Sequence, residues 1–371
     1  TVYGSSYDEN HLLADYPTAP KKKPSKANTI LRAPKGDYAL AQINNDIYIV
    51  TIPYVGAKGA KINLKDASKA AFPSRKLTKF GGQFPSWSNN GNVVYWTLGK
   101  TLFRYDIETA EANEKKQDLE KELKEKTKKA DKEKDKIIAD SVDTELEEDL
   151  IEDYQAKELD IIIKVNRSIA KGTLVLQNAI LITMNGDEII KNGTIVITNN
   201  RITAVGASID IEVPLGSKVM DLDGKYILPG FVDTHAHLRP AWGLHKNNVW
   251  GYAANLAYGV TTTRDPQTGT TDVLTYADMV EAGMILGPRI YSTGPGVGYW
   301  GYNIKSLDHA RDVLMQYSKY YNTKTIKMYL TGNRKHRQWI IQAAKEQELM
   351  PTTEGGLDFK LNVTQILDGY P

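Results

Sequence analysis

Two histidines spaced by two close an apolar stretch that reads Leu228-Pro229-Gly230-Phe231-Val232-Asp233-Thr234-His235-Ala236-His237. In a strand, residues i and i+2 face the same side, so His235 and His237 project together and Asp233 lies on their face. At the C-terminal end of a parallel strand the two imidazoles would converge where such folds place their active sites. Imidazole nitrogens suit a divalent, zinc-like metal. An isolated His-x-His pair is usually a chance pair of surface histidines. Here Pro229 and Gly230 introduce the strand, and strand-helix repeats that can supply further ligands follow it.

Lys327, in Thr325-Ile326-Lys327-Met328-Tyr329-Leu330, is a second candidate, because a lysine inside a buried strand is costly unless paired or chemically altered. A carboxylated lysine carries an anionic oxygen pair that can bridge two metals. The alternative is a lysine that snorkels out at the strand end. Arg264-Asp265 ends the second parallel strand, and the loop from Gly294 to Tyr302, with Tyr299 and Trp300, follows the third. Arg264, Tyr299, Trp300 and Tyr329 are therefore the candidates for substrate contact, with plain packing as the competing role of the aromatics. His245, His309 and His336 fall away from strand ends and His11 lies in the β-region, so these read as surface or core residues.

The elements that must position these groups form four stretches. Residues 1–107 are short alternating segments split by turn residues, the pattern of antiparallel β-structure. Tyr38 to Ile43 and Asp46 to Ile52 flank Asn44-Asn45, and Val93 to Thr97 pairs across Gly99-Lys100 with Thr101 to Ile107. About two four-stranded propeller blades fit this length, and a small independent β-domain fits the pattern equally. Residues 108–165 turn abruptly to Lys, Glu and Asp, and the stretch from Glu108 to about Leu159 has neither Gly nor Pro, which predicts a solvated helical insertion. Residues 166–224 return to strands and predict a compact β-unit built of hairpins. From residue 225 to 371 strands and amphipathic helices alternate through about five units, which means a parallel sheet, open or closed. A closed barrel requires eight such units.

Composition narrows the partners. The formal charge is +2, so no global field favours nucleic acid or an anionic membrane, and no apolar run is long enough for a membrane span. With no cysteine in the chain, any metal must take nitrogen or oxygen ligands.

The β-unit from 173 to 222, the Asp223-Gly224-Lys225 turn and the Leu-Pro-Gly-Phe-Val-Asp-Thr-His-Ala-His run together resemble the amidohydrolase superfamily over about 200 residues. The resemblance implies a small β-sandwich around a (β/α)8 TIM barrel and one or two metals, expected to be zinc. His235 and His237 match its first-strand ligands, and Lys327 matches its carboxylated bridging lysine. The Leu77-Thr78 and Pro85-Ser86-Trp87-Ser88 patterns resemble the last blades of a TolB-like β-propeller, a fusion that points to a periplasmic or secreted protein and to protein or peptide contacts on the propeller.

One departure stands out. Where many relatives carry a fifth-strand histidine, this chain has Pro351-Thr352-Thr353-Glu354-Gly355-Gly356. Glu354 is open to four readings: a carboxylate ligand, a residue that orients another ligand, a mark of altered metal occupancy, or a mark of lost catalysis. The family's sixth-strand histidine and its acid/base aspartate on the eighth strand would lie beyond Pro371, so this piece alone is expected to be inactive. The implied function is metal-dependent hydrolysis of carbon-nitrogen bonds in small amides or dipeptides through a metal-activated hydroxide. The rival is a non-catalytic scaffold or binding protein.

Overall fold

The computed structural model describes residues 2–3, 25–52, 59–134, 153–297, 302, 304–328, 331–353 and 359–370, and these form two compact units. One gathers Thr1–Ile162, Val297–Lys324 and Met328–Pro371; the other holds Ile163–Gly296 and Thr325–Lys327.

The first unit contains two four-stranded antiparallel sheets. One orders Thr29–Arg32, Tyr38–Ile43, Asp46–Thr51 and Ser74–Lys76 side by side. Its tightest turn works because Asn44 takes a φ of 55°, a left-handed conformation that asparagine tolerates. The other orders Gln83–Trp87, Val93–Leu98, Thr101–Asp106 and Lys157–Asp160. Alternation along Thr101–Asp106 sends Phe103 and Tyr105 inward, where Phe103 stacks on Trp96 with centroids 5.4 Å apart. Leu40, Ile47 and Tyr320 join the same core.

Tyr320 ends a π-helical turn, Gln316–Tyr320, that continues the helix Leu307–Met315. Its hydroxyl donates to Glu158 at 2.7 Å, and Lys319 holds the other carboxylate oxygen at 2.7 Å. Gly99 cannot be replaced cheaply beside it. Its φ is 57°, and a Cβ there would stand 2.2 Å from the Tyr320 carbonyl oxygen.

The helix Ile107–Lys134 starts directly after Thr101–Asp106, with the Asp106 carboxylate accepting from the amide of Thr109 at 3.1 Å. The helical reading up to about Leu159 is corrected here. Residues 135–152 lie outside the described residues, and Lys157–Asp160 is an edge strand paired antiparallel to Thr101–Asp106. Its side chains are exposed, so backbone pairing holds it, helped by Thr101 donating to Asp160 at 2.6 Å and by Lys100 at 3.1 Å.

In the second unit, residues 173–227 form a single five-stranded sheet where a sandwich was expected. Thr173–Ile182 is central, antiparallel to Ile189–Thr198 and parallel to Lys218–Asp221 and Tyr226–Ile227. The stretch from Tyr226 to Asp233 holds two strands. Tyr226–Ile227 belongs to this sheet, whereas Phe231–Asp233 starts a parallel sheet with Val260–Asp265 and Arg289–Ser292. Pro229 offers no amide to continue the ladder, and Gly230 lies so close to the next strand that a Cβ would meet the Thr261 hydroxyl at 2.1 Å.

Helices Trp250–Ala257 and Asp272–Glu281 connect the parallel strands and bury Tyr252, Val273, Tyr276, Ile285 and Ile290 together. The alternation continues along the chain through Thr325–Lys327, Arg334–Glu346, Met350–Thr352 and Phe359–Leu367. Among the described residues the strands do not close into a barrel.

Candidate active site

Phe231–Asp233 ends just before the two histidines, and the chain stays tied to its neighbour beyond that point. The amide of Ala236 donates to the carbonyl of Arg264 at 2.9 Å, and the amide of His235 donates to the Asp233 carboxylate at 2.9 Å. Ala236 is buried while His235 and His237 are exposed, in the bend and loop that follow the strand end at Asp233. The two imidazoles meet edge to face with centroids 5.1 Å apart.

Asp265 ends the neighbouring strand Val260–Asp265 and is 2% exposed. One carboxylate oxygen accepts from the amide of Leu238 at 3.4 Å. The other, Oδ1, makes no hydrogen bond among the described residues and lies 3.6 Å from Nδ1 of His237, whose side chain is 39% exposed. Burial pushes the Asp265 carboxyl above the usual carboxylate range, against the pull of His237 and of the amides of Leu238 and Gln267.

The chemistry of the pair suits a zinc-like ion, since both imidazoles carry ring nitrogens of the kind such an ion takes and lie side by side. A buried carboxylate oxygen without a partner next to the pair adds the negative potential a cation needs. Among the described residues no group of three His, Cys, Asp or Glu side chains is placed to hold a metal ion.

Lys327 ends the strand Thr325–Lys327 in the same compact unit and is 1% exposed, which removes the reading of a lysine snorkelling into solvent. Arg264 is half-buried, and strand alternation puts its side chain on the face opposite Thr263 and Asp265. Tyr299, Trp300, Tyr329 and Glu354 lie outside the described residues.

An open cleft of about 610 Å³ adjoins His237, and Arg239, Lys246, Asn248 and Trp250 help to line it. Arg239 holds a left-handed backbone with φ 45°, an uncommon conformation for a residue with a Cβ. The loop carrying it is staked to the helix Asp272–Glu281. His245 Nε2 lies 2.7 Å from Asp272, the amide of Gly243 donates to Asp272 at 3.2 Å, and the Tyr276 hydroxyl donates to the Ala241 carbonyl at 3.0 Å.

One group's role escaped the sequence reading. Asp265 was visible as a strand-end carboxylate, but its closeness to His237 depends on the pairing of two strands. His245, read as structural, is so, with a specific partner in Asp272. His309 and His336 behave as expected: burial, then Lys76, lowers His309 to about 4, and His336 is buried with its ring 2.6 Å from Asn333.

No family model matches the chain. It is 30% identical over 104 residues to a dihydroorotase of Macrococcus caseolyticus, covering 27% of this chain and 24% of that protein. It is 42% identical over 65 residues to a 5-methylthioadenosine/S-adenosylhomocysteine deaminase of Bacillus thuringiensis, covering 16% and 14%. The chain thus spans a quarter or less of the length of these relatives. Among solved structures, a Xaa-Pro dipeptidase matches with a TM-score of 0.45 at 16% identity, covering 53% of this chain and 60% of that one. The A. niger ochratoxinase matches with a TM-score of 0.43 at 17% identity, covering 53% and 59%. The sequence relatives are hydrolases of carbon-nitrogen bonds and support the amidohydrolase superfamily.

Proposed function

We propose that this chain carries the metal-binding opening of an amidohydrolase that cleaves a carbon-nitrogen bond in small amides or dipeptides. The observation that carries the reading is the His235–His237 pair at the end of a parallel strand, 5.1 Å between rings, with the buried Asp265 carboxylate beside it. In this reading the five β/α units open a (β/α)8 barrel, and the two antiparallel sheets are blades of a TolB-like propeller.

His235 and His237 would hold the metal through ring nitrogens, and a carboxylated Lys327 would add oxygen ligands. When bound, the metal supplies Lewis acidity, which activates water and polarises a carbonyl. Arg239 and Lys246, both on the cleft beside His237, would hold an anionic end of the substrate such as a terminal carboxylate. That charge match favours N-acyl amino acids and dipeptides over neutral amides.

Calorimetric titration of the chain with zinc tests the reading. Binding near one equivalent that falls at least about 100-fold in both His235→Ala and His237→Ala is expected. Zinc binding indifferent to both substitutions sinks it and leaves the scaffold reading standing.

A further inference from the structure

We infer that Asp265 is a positioning residue that fixes His237 in the tautomer with its proton on Nδ1, leaving the lone pair of Nε2 available to a ligand. The inference rests on the metal-binding role proposed for His237. Its support is geometric. The carboxylate straddles the histidine: one oxygen accepts from the amide of Leu238, the residue directly after His237, and the other faces the ring nitrogen Nδ1 at 3.6 Å.

Asp265 is the fixed partner of the two. Its own carbonyl accepts from the Ser292 hydroxyl at 3.0 Å and from the amide of Thr293 at 3.2 Å, which pins the strand end from the neighbouring strand. Its side chain is buried, so Oδ1 cannot exchange the missing partner for bulk water. His237 is the partner with room to turn. A shift of the ring by under about 1 Å would close the contact to hydrogen-bond length. A buried carboxylate accepts only, so the nitrogen it meets must carry the proton, and the other nitrogen is left with its lone pair outward. Carboxylate partners of this kind orient ligand histidines, and their loss typically costs about 10- to 100-fold in metal affinity.

Asp265→Asn gives a sharp test because it should invert the tautomer rather than merely release it. The Leu238 amide demands an acceptor, so the carboxamide oxygen takes that place and the NH2 group turns toward Nδ1. Nδ1 must then accept, and the proton moves to Nε2. The experiment is a long-range proton-nitrogen correlation on the metal-free full chain with nitrogen-15 histidine, at a pH where imidazoles are neutral. His237→Gln assigns the signal. Zinc titrations of the same proteins form the second arm, and Asp265→Ala serves if the asparagine variant does not fold.

The expected result is an Nδ1–H ring in the wild type, an Nε2–H ring in Asp265→Asn, and a zinc affinity lowered about 10- to 100-fold with stoichiometry kept. For Asp265→Ala the expectation is a loss of the Nδ1–H preference with a similar fall in affinity. An Nε2–H ring in the wild type overturns the inference. So does an unchanged tautomer in both variants, and so does abolished zinc binding with the tautomer intact, which would make Asp265 a direct ligand. An Nδ1–H wild type that inverts as expected but binds no zinc upholds the positioning and refutes only the metal-site proposal.

Discussion

Tyr276→Phe should loosen the loop that borders the cleft while leaving the fold in place. The Tyr276 hydroxyl accepts from the amide of Lys246 at 2.9 Å and donates to the carbonyl of Ala241 at 3.0 Å, so one oxygen ties together two ends of the loop. The ring is fully buried and meets His245 and Tyr252 edge to face at 5.0 and 6.0 Å, contacts that phenylalanine keeps. The substitution therefore opens no cavity. Each hydrogen bond contributes a net of about 0.5–1.5 kcal/mol, so losing both costs about 1–3 kcal/mol locally. If opening of the loop limits exchange, the Lys246 amide should exchange about 5- to 150-fold faster. Hydrogen-deuterium exchange with fragment-level resolution reads this, using the strand Val260–Asp265 as an internal control. Unchanged exchange at Lys246 would refute the staking argument, and faster exchange across the control strand would show that the hydroxyl supports the whole unit.

Other outcomes follow from the same contacts. Burial, then Lys76, holds His309 at about 4, below its unfolded value near 6.5, so the unfolded chain binds more protons between those values. Its contribution, up to about 3 kcal/mol, is complete above that window and lost as pH falls through it; urea midpoints measured from pH 7 to 4 should drop less steeply in His309→Gln than in the wild type. Gly99→Ala should cost more than about 2 kcal/mol, since the new Cβ meets backbone and the φ is left-handed; an unshifted urea midpoint would contradict this. Tyr320→Phe removes the bond to Glu158 and should cost about 1 kcal/mol, whereas Tyr320→Ala, which empties a place in the aromatic core, should cost about 3–5 kcal/mol.

The strand-helix alternation after residue 225 was readable because its strands are short apolar runs and its helices are amphipathic. Arg334–Glu346, for example, buries Ile340, Ile341, Ala343 and Ala344 on one face. The Asn44-Asn45 hairpin was readable from its turn chemistry. Lys157–Asp160 was not, because an edge strand held by backbone pairing keeps a charged sequence that looks helical. Pro229-Gly230 was readable as the pair that introduces a strand, and Phe231–Asp233 begins directly after it. At the site, His235 and His237 were readable as a neighbouring pair, but the strand stops at Asp233, so the i, i+2 strand rule does not itself position them. The Asp265–His237 approach needed the register between two strands, which no local pattern encodes.

The second antiparallel sheet draws its last strand from the far side of the charged helix, about 50 residues after Asp106. At a synthesis rate of about 5–20 residues per second, the three earlier strands wait roughly 3–10 seconds with Thr101–Asp106 as an open edge. A chain emerging from the ribosome therefore exposes this edge to wrong partners during that interval. A chaperone that captures nascent edges, or a slowed translation of the helix codons, would act on this protein at that moment.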